Sequence, residues 1–85
     1  MADRLKGRVA IVTGAGSGIG RRTAELFAAE GAKVACADVN GDAAKETAKL
    51  IGSAAIACRV DVAIPADQEQ MVADTVKAFG TVDRS

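Results

Sequence analysis

The sequence predicts an α/β fold, in which short buried strands alternate with helices around one parallel sheet. Three observations support this prediction: short apolar runs recur along the chain, segments with helical spacing follow them, and glycines stand where those segments end. Strands and helices that alternate in this way build parallel sheets with right-handed crossover connections. With 85 residues, of which 49% are hydrophobic and 26% charged, we expect residues 1–85 to belong to one small globular domain.

Three strands are predicted, at residues 8–13, 33–38 and 54–62. Each is a short apolar run, such as VAIV at residues 9–12, and such runs are typical of strands buried on both faces of a sheet. The first run leads into a glycine cluster, and the other two end at or beside aspartates. A fourth strand is expected to begin at residues 81–83.

Three helices are predicted from apolar spacing and from residues that start or stop helices. The first covers residues 19–30, and its apolar positions are Ile19, Thr23, Leu26 and Phe27. The second covers residues 40–51 behind the capping residue Asn40, and its inner face is expected to hold Ala44, Thr47, Ala48 and Ile51. The third starts at Pro65, whose missing N–H is harmless in a first turn, and its apolar stripe is Met71, Val72, Thr75, Val76 and Phe79. The C-terminal stops are Gly31, Gly52 and Gly80.

Charge and composition exclude several classes of function. Eleven basic and eleven acidic residues give a net charge of zero, whereas a nucleic-acid-binding protein normally carries a basic surplus. The chain has no His, and two cysteines with scattered acids match no common zinc spacing. Its apolar runs are far shorter than the ~20 residues that cross a bilayer. We therefore expect no nucleic-acid partner, no membrane partner and no metal.

A cytoplasmic location is expected, because the N-terminal residues lack the apolar region of a secretory signal. Cys36 and Cys58 fall in two predicted neighbouring strands. We predict that both are buried, inert thiols, since cytosolic thiols stay reduced and free cysteine packs well. A disulfide or a redox role is the alternative.

The segment between the first strand and the first helix is rich in glycine: residues 13–20 read TGAGSGIG. Glycines allow a sharp turn and a close approach to a ligand, and a following helix presents unpaired N–H groups to an anion. The spacing is G-x-x-x-G-x-G, at Gly14, Gly18 and Gly20, and it matches neither G-x-G-x-x-G nor a P-loop. A pyrophosphate is the natural occupant, and a purely structural loop is the alternative.

Two aspartates, Asp38 and Asp61, stand at the predicted ends of the second and third strands. Open α/β sheets bind ligands beyond the carboxyl ends of their strands, and dinucleotide-binding folds place an acid there for the ribose hydroxyls of adenosine. Two structural alternatives stay open. Asp38 can instead cap a turn with Asn40 and Gly41, and Asp61 can merely end its strand.

Taken together, these motifs resemble the N-terminal region of the short-chain dehydrogenase/reductase family. Residues 13–20 match its T-G-x-x-x-G-I-G motif, and LKGRVAIV at residues 5–12, Asp61-Val62 and FGTVD at residues 79–83 follow in the family's order. The resemblance implies a three-layer, doubly wound, Rossmann-type parallel sheet, of which this chain holds the N-terminal βαβαβα half. It also implies NAD(P)-dependent oxidation of alcohols or reduction of ketones in the complete enzymes.

By this resemblance, the pyrophosphate of the cofactor is held by Gly14, Ser17, Gly18, Ile19 and Gly20. Asp38 takes the ribose hydroxyls, while Asp61 and Val62 flank the adenine. NAD is expected rather than NADP, because a carboxylate repels a 2′-phosphate and Val39 stands where a basic residue would meet it. Ser17 likewise replaces the Lys or Arg that NADP-preferring relatives often carry. Arg21 and Arg22 follow this motif, and two alternatives stay open for them: contact with phosphate or exposure to solvent.

The later motifs of the family are missing from this chain: an Asn-Asn-Ala-Gly strand end, a catalytic Ser and Tyr-x-x-x-Lys. The sequence contains no tyrosine at all, so no catalytic residue is assigned. Three hypotheses follow: the cofactor half of a dehydrogenase, a stand-alone adenine-nucleotide-binding module, or a non-functional remnant. We expect a fragment, a truncated reading frame or part of a longer product, whose exposed first strand pairs with a second copy or with a complementing C-terminal half.

Overall fold

The strand–helix alternation is present throughout the computed structural model, which describes residues 5–81. The elements, in chain order, are β1 (Val9–Thr13), α1 (Gly18–Ala29), β2 (Lys33–Asp38), α2 (Gly41–Ile51), β3 (Ala55–Arg59) and α3 (Pro65–Phe79). All strand pairs are parallel, and the strand order is β1-β2-β3. The α/β prediction is confirmed, with β2 at the centre of the sheet. The predicted fourth strand falls almost entirely on residues 82–85, outside the described residues.

Helices cover both faces of the sheet, because successive side chains of a buried strand point to opposite sides. On one face, Val34 and Cys36 of β2 pack with Ala24 of α1 and with apolar residues of α2. On the other face, Ala37 packs with Cys58 and with Met71 of α3. The three-layer, doubly wound arrangement is therefore confirmed.

Two of the four positions that were predicted to form the apolar stripe of α1 are exposed. The side chains of Ile19 and Leu26 are 85% and 58% exposed, whereas Ala24 is fully buried and Phe27 packs against the core. The reason lies at Gly20, where any Cβ would overlap the Gly14 carbonyl oxygen. Gly20 must therefore face inward, and the residues four and seven positions further on share its side of the helix.

The ends of the other helices agree with their predicted caps. The Asn40 side chain accepts a hydrogen bond from the Ala43 N–H at 3.1 Å and begins α2. Ala44 and Thr47 on the predicted inner face of α2 are fully buried. Pro65 occupies the first turn of α3, in which Met71 and Thr75 are buried but Val76 is 40% exposed. Val76 therefore lies at the margin of the predicted stripe.

Strand β3 is shorter than predicted, and this changes the setting of Asp61. The strand ends at Arg59, although the Val60 N–H still donates to the Asp38 carbonyl at 2.9 Å. Asp61 then opens a turn: its carbonyl accepts from the Ile64 N–H, and its Oδ1 accepts from the Ala63 N–H, both at 2.9 Å. Asp61 is thus a turn residue just beyond the strand.

The two cysteines are buried and free, as predicted. They belong to the clusters on opposite faces of the sheet, so a disulfide between them would require the backbone to move. Burial raises the pKa of the Cys36 thiol to about 11, with a further contribution from Cys58, and burial also raises the pKa of Cys58. Both thiols therefore stay protonated near neutral pH. Across residues 5–81, no helix combines the length and apolar character needed to cross a membrane.

Candidate functional site

The loop between β1 and α1 has a shape that requires its glycines. Gly14 and Gly18 have φ angles of 67° and 57°, a region that is strained for residues with a side chain. At Gly20 the constraint is packing, because a Cβ there would overlap the Gly14 carbonyl. The backbone therefore requires glycine at each position of the G-x-x-x-G-x-G spacing, at Gly14 and Gly18 because of a positive φ angle and at Gly20 because of close packing.

A fourth glycine, Gly16, was not singled out by the spacing. A Cβ on Gly16 would lie 2.6 Å from the Ala43 Cβ and 2.7 Å from the Asp38 Oδ2. Because Gly16 has no Cβ, Asp38 can approach its backbone closely, and the Gly16 N–H donates to the Asp38 Oδ2 at 2.8 Å. The loop is also joined to β2 by the Ala15 N–H, which donates to the Ala37 carbonyl at 3.0 Å. Gly16 is thus the residue that lets the loop meet the end of the central strand.

The N-terminus of α1 presents free hydrogen-bond donors. Ser17 is its N-cap residue, but the serine side chain makes no capping hydrogen bond, and the first turn has no acidic residue. In the described part of the chain, no acceptor pairs with the backbone N–H of Ser17, Gly18 or Ile19. Unpaired N–H groups and the positive end of the helix dipole favour an anion at this place. In α2, by contrast, the Asn40 side chain fills this role.

Asp38 ends the central strand with both carboxylate oxygens engaged by backbone donors. Oδ1 accepts from the Asn40 N–H at 2.9 Å and Oδ2 from the Gly16 N–H at 2.8 Å. These two hydrogen bonds hold the pKa of the Asp38 carboxyl below its usual range, and the bond from Asn40 has the larger effect. The group is therefore charged at neutral pH. Each oxygen keeps a second lone pair for a ligand. The structural alternative was therefore partly right: Asp38 does form a turn with Asn40, and it also holds the glycine loop.

A cleft of about 420 Å³ lies at the carboxyl ends of the three strands. It is lined by Thr13, Gly14, Ala37, Asp38, Val39, Val60, Asp61 and Val62. The structure therefore brings Gly14, Asp38, Val39, Asp61 and Val62 together around one space. The remaining residues of the predicted set do not line this cleft and lie at the start of α1: Ser17, Gly18, Ile19 and Gly20.

The sequence did not reveal that two side chains, Arg21 and Thr47, bind the back of the glycine loop. Arg21 was expected either at a phosphate or in solvent, yet its guanidinium donates to the Gly16 carbonyl and to Thr47. Thr47 was expected only as part of an apolar face, yet its hydroxyl donates to the Ala15 carbonyl. Residue spacing could not have predicted the contact between Arg21 and Thr47, because the two residues lie on different helices that come together only in the folded chain.

Among residues 5–81, no cluster of His, Cys, Asp or Glu could hold a metal ion.

These features define a class of protein. A parallel sheet covered on both faces, a glycine loop leading into a helix with free N–H groups, and a carboxylate at the end of the neighbouring strand are the parts of a nucleotide-binding α/β domain of Rossmann type. Comparison with known proteins narrows the class. The model of the short chain dehydrogenase family matches residues 8–84. The chain belongs to the short-chain dehydrogenase/reductase family, whose members bind a nicotinamide dinucleotide.

Characterised relatives agree with this assignment. A 2,5-dichloro-2,5-cyclohexadiene-1,4-diol dehydrogenase of Sphingobium indicum is 47% identical over 83 residues, which cover 98% of this chain and 33% of the relative. A sorbitol dehydrogenase of Cereibacter sphaeroides is 45% identical over 80 residues, which cover 94% of this chain and 31% of the relative. The chain thus spans about a third of the length of these relatives and matches their N-terminal portion.

Solved structures show the same relationship. The 3-ketoacyl-(acyl-carrier-protein) reductase of Brucella melitensis, solved in complex with NADH, superposes with a TM-score of 0.91 at 43% identity. The match covers 93% of this chain and 33% of the reductase. A hydroxysteroid dehydrogenase of Escherichia coli superposes with a TM-score of 0.90 at 40% identity, over 94% of this chain and 35% of the dehydrogenase.

Proposed function

We propose that this chain is the cofactor-binding portion of an NAD-dependent oxidoreductase that interconverts an alcohol and a ketone. One observation carries the proposal: the free N–H groups that begin α1 stand beside the Asp38 carboxylate, and the Gly16 N–H links the two. An anion and a pair of hydroxyls on the same ligand fit these two neighbouring groups. The adenosine diphosphate half of a dinucleotide carries both.

The residues of the loop suit a pyrophosphate. Gly14 and Gly18 have open space where a Cβ would point, so a ligand can approach their backbone closely. Donors for the phosphate oxygens come from the loop and first turn, and we assign Gly14, Ser17, Gly18, Ile19 and Gly20 to this role. When bound, the nicotinamide supplies the hydride acceptor or donor of the reaction. The residues of this chain bind and orient the other half of the cofactor.

Asp38 is assigned to the ribose hydroxyls and to the choice of NAD over NADP. Its carboxylate accepts hydrogen bonds from free 2′- and 3′-hydroxyls but repels a 2′-phosphate. Val39, beside it, is 59% exposed and carries no charge to offset that repulsion. Asp61 and Val62 line the same cleft, and we assign them to the two sides of the adenine.

Chemistry on a substrate needs groups that this chain does not contain. Reduction of a ketone requires a proton donor beside its oxygen, and such a group typically contributes about 10²–10⁴ in rate. The sequence has neither tyrosine nor histidine, so we expect the 85-residue chain to bind the dinucleotide without turning over a substrate. The free thiols of Cys36 and Cys58 suit a reducing compartment, and we place the protein in the cytoplasm.

Titration of the purified 85-residue chain with NAD⁺ by isothermal calorimetry tests the proposal. We expect saturable binding, and we expect ADP-ribose to bind about as well, because the assigned contacts all lie in the adenosine diphosphate half. Gly18→Ala should remove binding of both ligands. Gly52→Ala is the matched control, since Gly52 also has a positive φ and open space around its Cβ position, but lies outside the site. A folded chain that binds neither ligand, or equal loss in both variants, would contradict the proposal.

A further inference from the structure

Two carbonyls on the back of the glycine loop are held by side chains from α1 and α2. The Thr47 hydroxyl donates to the Ala15 carbonyl at 2.7 Å, and the Arg21 Nη2 donates to the Gly16 carbonyl at 2.7 Å. The two side chains also bind each other, because the Arg21 Nε donates to the Thr47 Oγ1 at 2.8 Å. Thr47 is fully buried and the Arg21 side chain is 27% exposed. The loop is therefore fastened to both helices from behind.

These contacts set the direction of the loop N–H groups. A trans peptide is planar, so its N–H points away from its carbonyl, and residues 5–81 contain no cis peptide. In the peptide between Ala15 and Gly16, the carbonyl binds Thr47 while the N–H reaches Asp38. In the next peptide, Arg21 holds the Gly16 carbonyl, so the Ser17 N–H points away from Arg21. Within the described residues this N–H has no acceptor.

We propose that Arg21 and Thr47 are positioning residues for the pyrophosphate: they turn the Ser17 N–H toward the anion while Arg21 itself stays on the opposite side of the loop. This inference rests on the proposed function, because the anion is the pyrophosphate of the dinucleotide. Arg21 thus acts through the peptide between Gly16 and Ser17, and its charge is already partly balanced by Glu46, whose Oε1 lies 3.4 Å from the Arg21 Nη1.

The geometry of the guanidinium separates this role from a direct contact with phosphate. Arg21 uses two different nitrogens for Thr47 and for Gly16, which one lysine ammonium cannot replace in the same fixed geometry. A residue that attracts phosphate by charge alone would tolerate lysine. Arg22 offers the matched comparison, since it carries the same charge in the same helical turn but is exposed.

The first experiment measures the affinity of the full 85-residue chain and its variants for ADP and for adenosine, which has no phosphate. Arg21→Lys and Thr47→Val should each weaken ADP binding by about fivefold or more, as expected for a lost hydrogen bond in a shared network, with a smaller effect on adenosine. The double variant should be no weaker than the worse single variant, because both act on one network. Arg22→Gln should change ADP affinity by less than about twofold, as for an exposed charge. Circular dichroism checks that each variant is folded.

A second experiment needs no variant and therefore decides the question even if the substitutions unfold the chain. In ¹⁵N NMR spectra of the unmodified chain, titration with ADP should shift the Ser17 amide resonance and leave the Arg21 Nε resonance nearly unchanged. A larger shift at the Arg21 Nε, or full ADP affinity in folded Arg21→Lys, would overturn the positioning role while the proposed function stands. Absence of any ADP binding by the unmodified chain would overturn both.

Discussion

Asp38 shows how one residue joins the fold to the site. Its carboxylate accepts from the N–H groups of Gly16 and Asn40, so it fastens the glycine loop and the start of α2 to the end of β2. The position of Asp38 was predictable, because an acid that ends an apolar run is visible in the sequence. Its bond to Gly16, and the contact of Arg21 with Thr47, were not predictable, because they depend on how the loop folds back over the sheet.

The choice between NAD and NADP is expected to depend on Asp38. A charge-assisted hydrogen bond contributes about 1.5–3 kcal/mol, so the unmodified chain should prefer NAD⁺ by roughly ten- to a hundredfold. Asp38→Ala should lose most of this preference, whereas Asp42→Ala, which removes an exposed acid from the first turn of α2, should keep it. Calorimetric titration with both dinucleotides measures the effect. Equal affinities in the unmodified chain, or an unchanged preference in Asp38→Ala, would assign Asp38 to the turn alone.

The stability of the fold should also depend on pH through Asp38. The pKa of Asp38 is lowered in the folded chain, chiefly by the hydrogen bond from Asn40. The ionised carboxylate therefore stabilises the fold above the unfolded pKa of about 3.9, and this contribution disappears as the pH falls through the folded pKa. In urea unfolding, the advantage of the unmodified chain over Asp38→Asn should be largest near neutral pH and shrink below about pH 4.

An exposed acid provides the control for this pH dependence. Glu25→Gln removes a negative charge from the solvent face of α1 and is measured in the same way, so that the effect specific to Asp38 is separated from the loss of one negative charge. If the difference between the unmodified chain and Asp38→Asn is the same at every pH, the two backbone hydrogen bonds of Asp38 do not favour its ionised form.

The elements themselves were largely predictable, because their ends carry strong local signals. Asn40 and Pro65 begin α2 and α3 at the expected places. The orientation of α1 was not predicted, because its stripe was chosen by side-chain hydrophobicity, whereas packing of Gly20 against the Gly14 carbonyl decides which face turns inward. Counting from Gly20 would have placed Ala24 and Phe27 inside. A glycine that a loop needs for close packing is therefore a better guide to helix phase than large apolar residues.

The cap of α2 provides a test at the level of one element. The Asn40 side chain accepts a hydrogen bond from the Ala43 N–H. The backbone N–H of Asn40 separately donates to the Asp38 Oδ1. Asn40→Ala should lower the free energy of unfolding by about 1 kcal/mol, a typical value for loss of an N-cap, and NAD⁺ affinity should stay nearly constant because the backbone bond remains. Asn40→Ser, which keeps a capping oxygen, should recover most of the stability. Unchanged urea unfolding of Asn40→Ala would show that the cap is not stabilising.

At the scale of the whole molecule, parallel pairing creates the site. Strands β1, β2 and β3 run in one direction, so the glycine loop, Asp38 and Asp61 lie at the same end of the sheet and surround one cleft. The order of the strands puts Asp38 in the middle, between the ends of its two neighbours. Alternating strands and helices predict this arrangement from sequence, since right-handed crossovers leave few other topologies.

In the described part of the chain, the same strand order places β1 and β3 at the two edges of the sheet, on either side of β2. The surface also exposes large apolar side chains, among them Ile19, Leu26 and Leu50. Edge strands and exposed apolar groups both favour contact between copies. We therefore expect the purified chain to self-associate or to unfold partially, and its weight-average mass in sedimentation equilibrium should rise with protein concentration.

Substitution of the helix surface separates the two causes of association. Leu26 and Leu50 are 58% and 61% exposed, so Leu26→Lys combined with Leu50→Lys removes apolar surface with little effect on the core. If the edge of the sheet, at β1 or at β3, is the main contact, this double variant should still associate. If the helix surfaces are the main contact, it should become monomeric. Because an edge strand can offer backbone N–H and C=O groups to a second copy, we expect the association to persist. A monodisperse, cooperatively melting monomer of the unmodified chain would show that this edge does not drive association.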